Sequence, residues 1–179
     1  MKATRNLLAA MVLGIAICAS QASAQCSGNA GSCNTTNTAS VTVGALVKLG
    51  MSSATTSLTN PTADDVDAGN VIANAGPSFT IKANRSWTLK IKSGNATNWT
   101  YVGSDAGVKP ISDLSWSTAA NGTFAAITAS DATFTSGASA SNGTAAQVFF
   151  RTSWLSDFTS ASNAPGTYSL PIVFTLTAP

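Results

Sequence analysis

Histidine and glutamate are both absent from this chain, and its seven acidic residues are all aspartates. Without histidine the sequence lacks the side chain that titrates near neutrality and the commonest ligand for zinc, copper and iron. A hydrolase built on a serine would find no imidazole to take its proton, and neither a G-x-S-x-G elbow nor an S-x-x-K motif occurs. No two aspartates sit in a recognisable glycosidase pair. The expectation is a protein that is not an enzyme and needs no cofactor. Charge is scarce as well: only 9% of residues are Asp, Glu, Lys or Arg, so solubility rests on Ser, Thr, Asn and Gly.

Long apolar runs are also missing. Leu7 to Ala19 is the one apolar stretch of note, too short for the roughly 20 residues of a membrane span. With Lys2 and Arg5 before it and Ala22-Ser23-Ala24 after it, residues 1–24 read as a secretory signal peptide cleaved before Gln25. The mature chain is then expected outside the cytoplasm, secreted, extracellular or on the cell surface, with the periplasm as the other compartment, and with no transmembrane segment. Cys26 and Cys33 remain after cleavage, and in an oxidising compartment they close a small disulfide loop near the new N-terminus. Residues 25–39 hold Gly, Ser, Asn and Thr and almost nothing to bury, which reads as a flexible polar leader. Loss of Lys2 and Arg5 leaves Lys48, Lys82, Arg85, Lys90, Lys92, Lys109 and Arg151 against the aspartates, close to neutrality. Such a balance offers no footprint for nucleic acid.

From residue 40 onward, apolar and polar residues alternate in short segments separated by turn chemistry, the pattern of an all-β sandwich. Val41 and Val43 share one face. Phe79, Ile81 and Ala83 alternate with Thr80 and Lys82, and Trp87, Leu89 and Ile91 with Thr88, Lys90 and Lys92; Asn84-Arg85-Ser86 links the two as a tight turn or a bulge in one bent strand. Further strands are expected over 99–102, 113–117, 123–128, 145–154 and 167–177. The Asn-Gly pairs at 121 and 142 read as turns, and 138–146 as a loop. No helical stripe occurs outside residues 1–24. The expected core comprises Val41, Val43, Phe79, Ile81, Trp87, Leu89, Ile91, Phe149, Leu170, Ile172, Phe174 and Leu176.

Three features could recognise a partner. Asp64, Asp65 and Asp67, followed by Gly69 and Asn70, supply the hard oxygens calcium prefers, although their spacing is not that of an EF-hand and an acidic solvated turn explains them as well. Lys82, Lys90 and Lys92 oppose the apolar parity and Arg85 lies at the bend, so the four are expected to form one basic stripe. That stripe would bind an anionic cell-envelope polymer or serve as a solubilising face. Trp87, Trp99, Trp116, Trp154 and Tyr101 could stack on sugars or fill the core.

Trp87-Thr88-Leu89, taken with the tail Tyr168 to Pro179, resembles the W-x-L signatures of bacterial WxL surface domains, which implies a β-rich module held on the cell wall. The second signature has Phe174 in place of tryptophan. Gly166-Thr167-Tyr168 and the alternating residues after it also resemble the last strand of chaperone-usher pilins and spore-coat-U-like proteins. That likeness implies an incomplete immunoglobulin-like sandwich completed by an N-terminal extension of the next subunit. The leader 25–39 has the length of such a donor but lacks large alternating apolar residues. The expectation is therefore an all-β, antiparallel immunoglobulin-like β-sandwich over residues 40–179. Its role is that of a secreted or surface structural protein, binding wall or glycan, or alternatively self-assembling as a pilin-like subunit.

Overall fold

The computed structural model describes residues 31–179. The signal segment 1–24 and Cys26, and with it the Cys26–Cys33 pairing, lie outside the described residues. The chain divides into two units, one ending at Thr42 and one spanning Val43–Pro179. In the first, residues 31–42 carry no regular structure and every one is exposed. Val41 and Val43, expected in the core, are 87% and 65% exposed. Their alternation is real, but both side chains are left exposed.

The second unit is nearly all antiparallel sheet. Its elements are β1 (Val47–Met51), α1 (Ala63–Ala68), β2 (Asn74–Ala83), β3 (Trp87–Ser93), β4 (Thr100–Val102), β5 (Leu114–Ser117), β6 (Ala125–Ala126), β7 (Ala132–Gly137), β8 (Ser141–Thr152), β9 (Thr167–Ser169) and β10 (Ile172–Thr177). One sheet has the order β1-β2-β8-β5-β6, a second β10-β3-β7, and β4 pairs with β9. The two larger sheets face each other as a sandwich. Phe79 of β2 meets Phe174 of β10 at 4.4 Å and Phe134 of β7 at 5.8 Å between ring centroids, and Trp116 of β5 meets Phe134 at 5.6 Å. Ile81, Leu89, Ile91 and Val148 are fully buried in the same core.

Asn84-Arg85-Ser86 is neither a hairpin turn nor a bulge. It is a corner where the chain leaves one sheet and enters the other, since β2 and β3 belong to different sheets. Asn142-Gly143 is likewise no turn: β8 starts at Ser141, and Gly143, with φ 120°, is passed over where the register moves from Ile81↔Thr144 to Lys82↔Asn142. A glycine accepts that left-handed conformation without a Cβ clash. In β8 the buried set is Val148, Phe150 and Thr152, so Phe149 is only half-buried on the other face. The expected single strand 167–177 is two strands, interrupted at Leu170-Pro171, where proline lacks the N–H a ladder needs.

A helix stands where an acidic turn was expected. Thr62 caps α1 through its side chain, accepting from the Asp65 N–H at 3.2 Å, while the Asp65 carboxylate accepts from the Thr62 N–H at 2.8 Å. This reciprocal capping box starts the helix and Gly69, with φ 78°, ends it.

Candidate functional site

β1 and β10 are the edge strands of their sheets, each hydrogen-bonded to one neighbour only, and they approach each other on the same side of the sandwich. Their inward residues are incompletely covered. On β10, Ile172, Phe174 and Leu176 face in yet remain half-buried. On β1, Val47 and Met51 oppose the buried Ala83 and Phe79 across the ladder but stay 47% and 49% exposed. Ordinary core positions in strands of this sandwich are covered far more fully, as Phe79, Ile81 and Leu89 show. The outer edge of β10 thus presents unpaired backbone groups beside half-buried apolar side chains.

The opening continues into a cavity of about 1070 Å³. Residues 53–61, which carry no regular structure, form one wall, and 163–172 the other; Leu114, Phe150, Trp99 and Trp154 lie beneath. Lys109 also lines it while being only 1% exposed. Its Nζ donates to Asp113 Oδ2 at 3.0 Å and to the Ser153 carbonyl at 2.6 Å, and lies 3.8 Å from the Trp154 ring centroid. Burial pulls the ammonium below the ordinary lysine range, against the opposing pull of the Asp113 carboxylate. With these partners the ammonium acts as a clasp between the 103–110 loop, the start of β5 and the end of β8.

Beside the cavity, the Tyr101 hydroxyl donates to the Pro165 carbonyl at 2.7 Å, and its ring packs on Tyr168 at 4.9 Å. A Cβ on Gly103, Gly107 or Gly166 would overlap the Tyr101 side chain, so these three positions let the two loops close around it. Tyr101, Trp154 and Tyr168 are therefore held in a packed cluster. Trp87 and Trp99 are buried, at 3% and 9% exposure, and Trp116 packs on Phe134.

The basic stripe is divided. Lys82 faces outward from β2 in one sheet, whereas Lys90 and Lys92 face outward from β3 in the other, on the opposite side of the sandwich. Lys90 and Lys92 both pair with Asp131, at 3.9 and 3.4 Å, and Arg85 sits at the corner between the sheets. Period-two parity is the same within both segments, and only the change of sheet at residues 84–86 separates them. Asp64, Asp65 and Asp67 lie on and around the capped first turn of α1, and hydrogen bonds from the Thr62 side chain and backbone hold the Asp65 carboxyl below its ordinary range. Among the described residues no group of three His, Cys, Asp or Glu is placed to hold a metal ion.

No family model matches the chain, and no curated protein matches it. A chain in a solved structure of a chaperone-usher pilus aligns with a TM-score of 0.47 and 12% identity, over 80% of this chain and 94% of that one. A likeness this distant does not speak to function. The Trp87-Thr88-Leu89 signature finds no support as a wall-binding motif, because Trp87 and Leu89 are both core residues.

Proposed function

We propose that this protein is a non-catalytic structural subunit of the cell exterior that assembles with further copies of itself by strand addition. One observation carries the reading: the inward face of β10 is half uncovered beside a free edge, in a chain that also holds an exposed alternating stretch, Ala39, Val41 and Val43. An extended segment laid along β10 would bond to its unpaired amides and carbonyls and place every second side chain against Ile172, Phe174 and Leu176. Burying a valine contributes about 1.5–3 kcal/mol, so Val41 and Val43 together supply much of the driving force. The occupant is a second copy's segment, and the useful residues are 39–43 rather than the more polar 25–38.

The test compares the mature chain with its V41D/V43D variant by analytical ultracentrifugation. Oligomers are expected for the parent and monomers for the variant, whose two altered side chains are both exposed. Equal oligomer distributions would refute strand addition by this segment.

A further inference from the structure

The domain's charges are sorted along the strands. Ala83 of β2, Val47 of β1 and Ser141 of β8 meet at one pole; Asn74 of β2, Phe150 of β8 and Leu114 of β5 approach the other, roughly 30 Å away by strand length. At the first pole stand Lys48, Lys82 and Arg85, all exposed, and no aspartate. Lys48 and Lys82 are direct cross-strand partners, and like charges placed opposite one another are unfavourable. All seven aspartates belong to the other half, together with Lys90, Lys92, Lys109 and Arg151, so that half carries an excess of three negative charges against the three positive ones at the first pole. Asp64, Asp65 and Asp67 lie on α1, which Gly69 ties to Trp154 just past β8. Asp105 and Asp157 lie on the loops joined by the Val108 N–H to Ala161 carbonyl bond, and Asp113 and Asp131 are paired with lysines. Apolar residues are exposed at both poles: Leu46 and Val47 at the basic one, Val102, Val108, Leu155 and Phe158 at the acidic one.

The two openings relevant to assembly follow the same axis. Asn84 fixes the segment before β1 at the basic pole, donating through Nδ2 to the Gly44 carbonyl at 2.8 Å and accepting from the Leu46 N–H at 2.9 Å. Residues 163–172 of the cavity wall lie at the acidic pole.

We propose that copies of this chain stack head to tail, the basic pole around Lys48, Lys82 and Arg85 docking on the acidic pole around Asp64, Asp67 and Asp105 of the next copy. This inference rests on the strand-addition reading and adds the surface that orients the donor: docking brings the stretch before Gly44 to the mouth of the neighbour's groove. It also relieves the Lys48–Lys82 repulsion, and the contact is heterologous, so it extends as a fibre or closes as a ring rather than stopping at an isologous dimer.

The experiment uses two mature variants, K48E/K82E/R85E and D64K/D67K/D105K, which leave the Asp65 cap and the Asp157–Thr159 turn intact. Each alone is expected to assemble at least about tenfold more slowly than the parent in low salt, since charge steering changes encounter rates by that order or more. Mixed, they are expected to co-assemble, because each then offers the charge the other lacks. Rescue by mixing cannot arise from a misfolded variant. Parent-like assembly of either variant alone would overturn the polar contact, as would absence of co-assembly from two variants with parent-like circular dichroism. Retention of the parent on dextran sulfate, lost in K48E/K82E/R85E while that variant still assembles normally, would assign the basic pole to an anionic polymer instead. V41D/V43D separates the two ideas: with its poles intact, parent-like assembly refutes strand addition and leaves the charge contact standing.

Discussion

At the scale of single residues, Lys109 is the clearest case of a charge whose surroundings decide its role. It is buried, yet its donors meet a carboxylate, a carbonyl and an indole face. Removing one member of a buried pair strands the other, so K109M is expected to cost about 3 kcal/mol in urea unfolding, with K109M/D113L recovering part of it. The lowered pKa also has a sign. In the window between the folded value and 10.5 the unfolded chain binds more protons, so stability rises with pH there relative to K109M. Asp65 gives a slope of the same sign in the acid range: its lowered pKa supplies a stabilisation present above about 3.8 that fades as pH falls through the folded value. D65N should erase that pH dependence, as acid titration of both proteins by circular dichroism would show. Neither role was legible in the sequence. Lys109 stands in a loop with no alternation to mark it as buried, and Asp65 was one of three acids in a run.

At the scale of elements, alternation located β2 and β3, which bury every second side chain against the opposite sheet, and β10, in which every second one is half-buried. It misplaced the first strand. Val41-Thr42-Val43 alternates more cleanly than Val47-Lys48-Leu49-Gly50-Met51, yet the latter is β1, because its register against β2 sets Leu49 opposite Ile81. A donor for another copy and a strand of one's own core obey the same period, so a single sequence does not separate them. β7 escaped notice since Phe134 is its one fully buried residue, and the α1 helix because six residues with only Val66 buried show no stripe. Loop closure around Tyr101 gives this scale its prediction. G166A would drive a methyl into the Tyr101 ring and the Val102 carbonyl, costing about 1–3 kcal/mol by overpacking. The melting temperature of G166A should fall accordingly, whereas G44A, which meets nothing within 4 Å, should leave it unchanged.

At the scale of the whole molecule, the unit spanning Val43–Pro179 is an antiparallel β-sandwich whose edge strand β10 keeps its inward residues half-buried. An all-β fold with antiparallel sheets could be read from the sequence, because the inward and outward positions were plain. The open side could not, since half-covered Ile172, Phe174 and Leu176 have the same pattern as fully covered ones. The split of the basic stripe was hidden for a related reason: the corner at 84–86 preserves parity while exchanging sheets. A free β-edge with apolar side chains beneath it is a liability unless something occupies it, and the proposed assembly through that edge would turn the liability into the binding site.

Hydrogen–deuterium exchange of residues 172–177 tests this most directly. Monomeric V41D/V43D should exchange quickly those β10 amides that point away from β3, and assembled parent protein should protect them, with β2 and β3 equally protected in both. Full protection of every β10 amide in the monomer, or unchanged exchange of this strand on assembly, would contradict an unfilled place beside it.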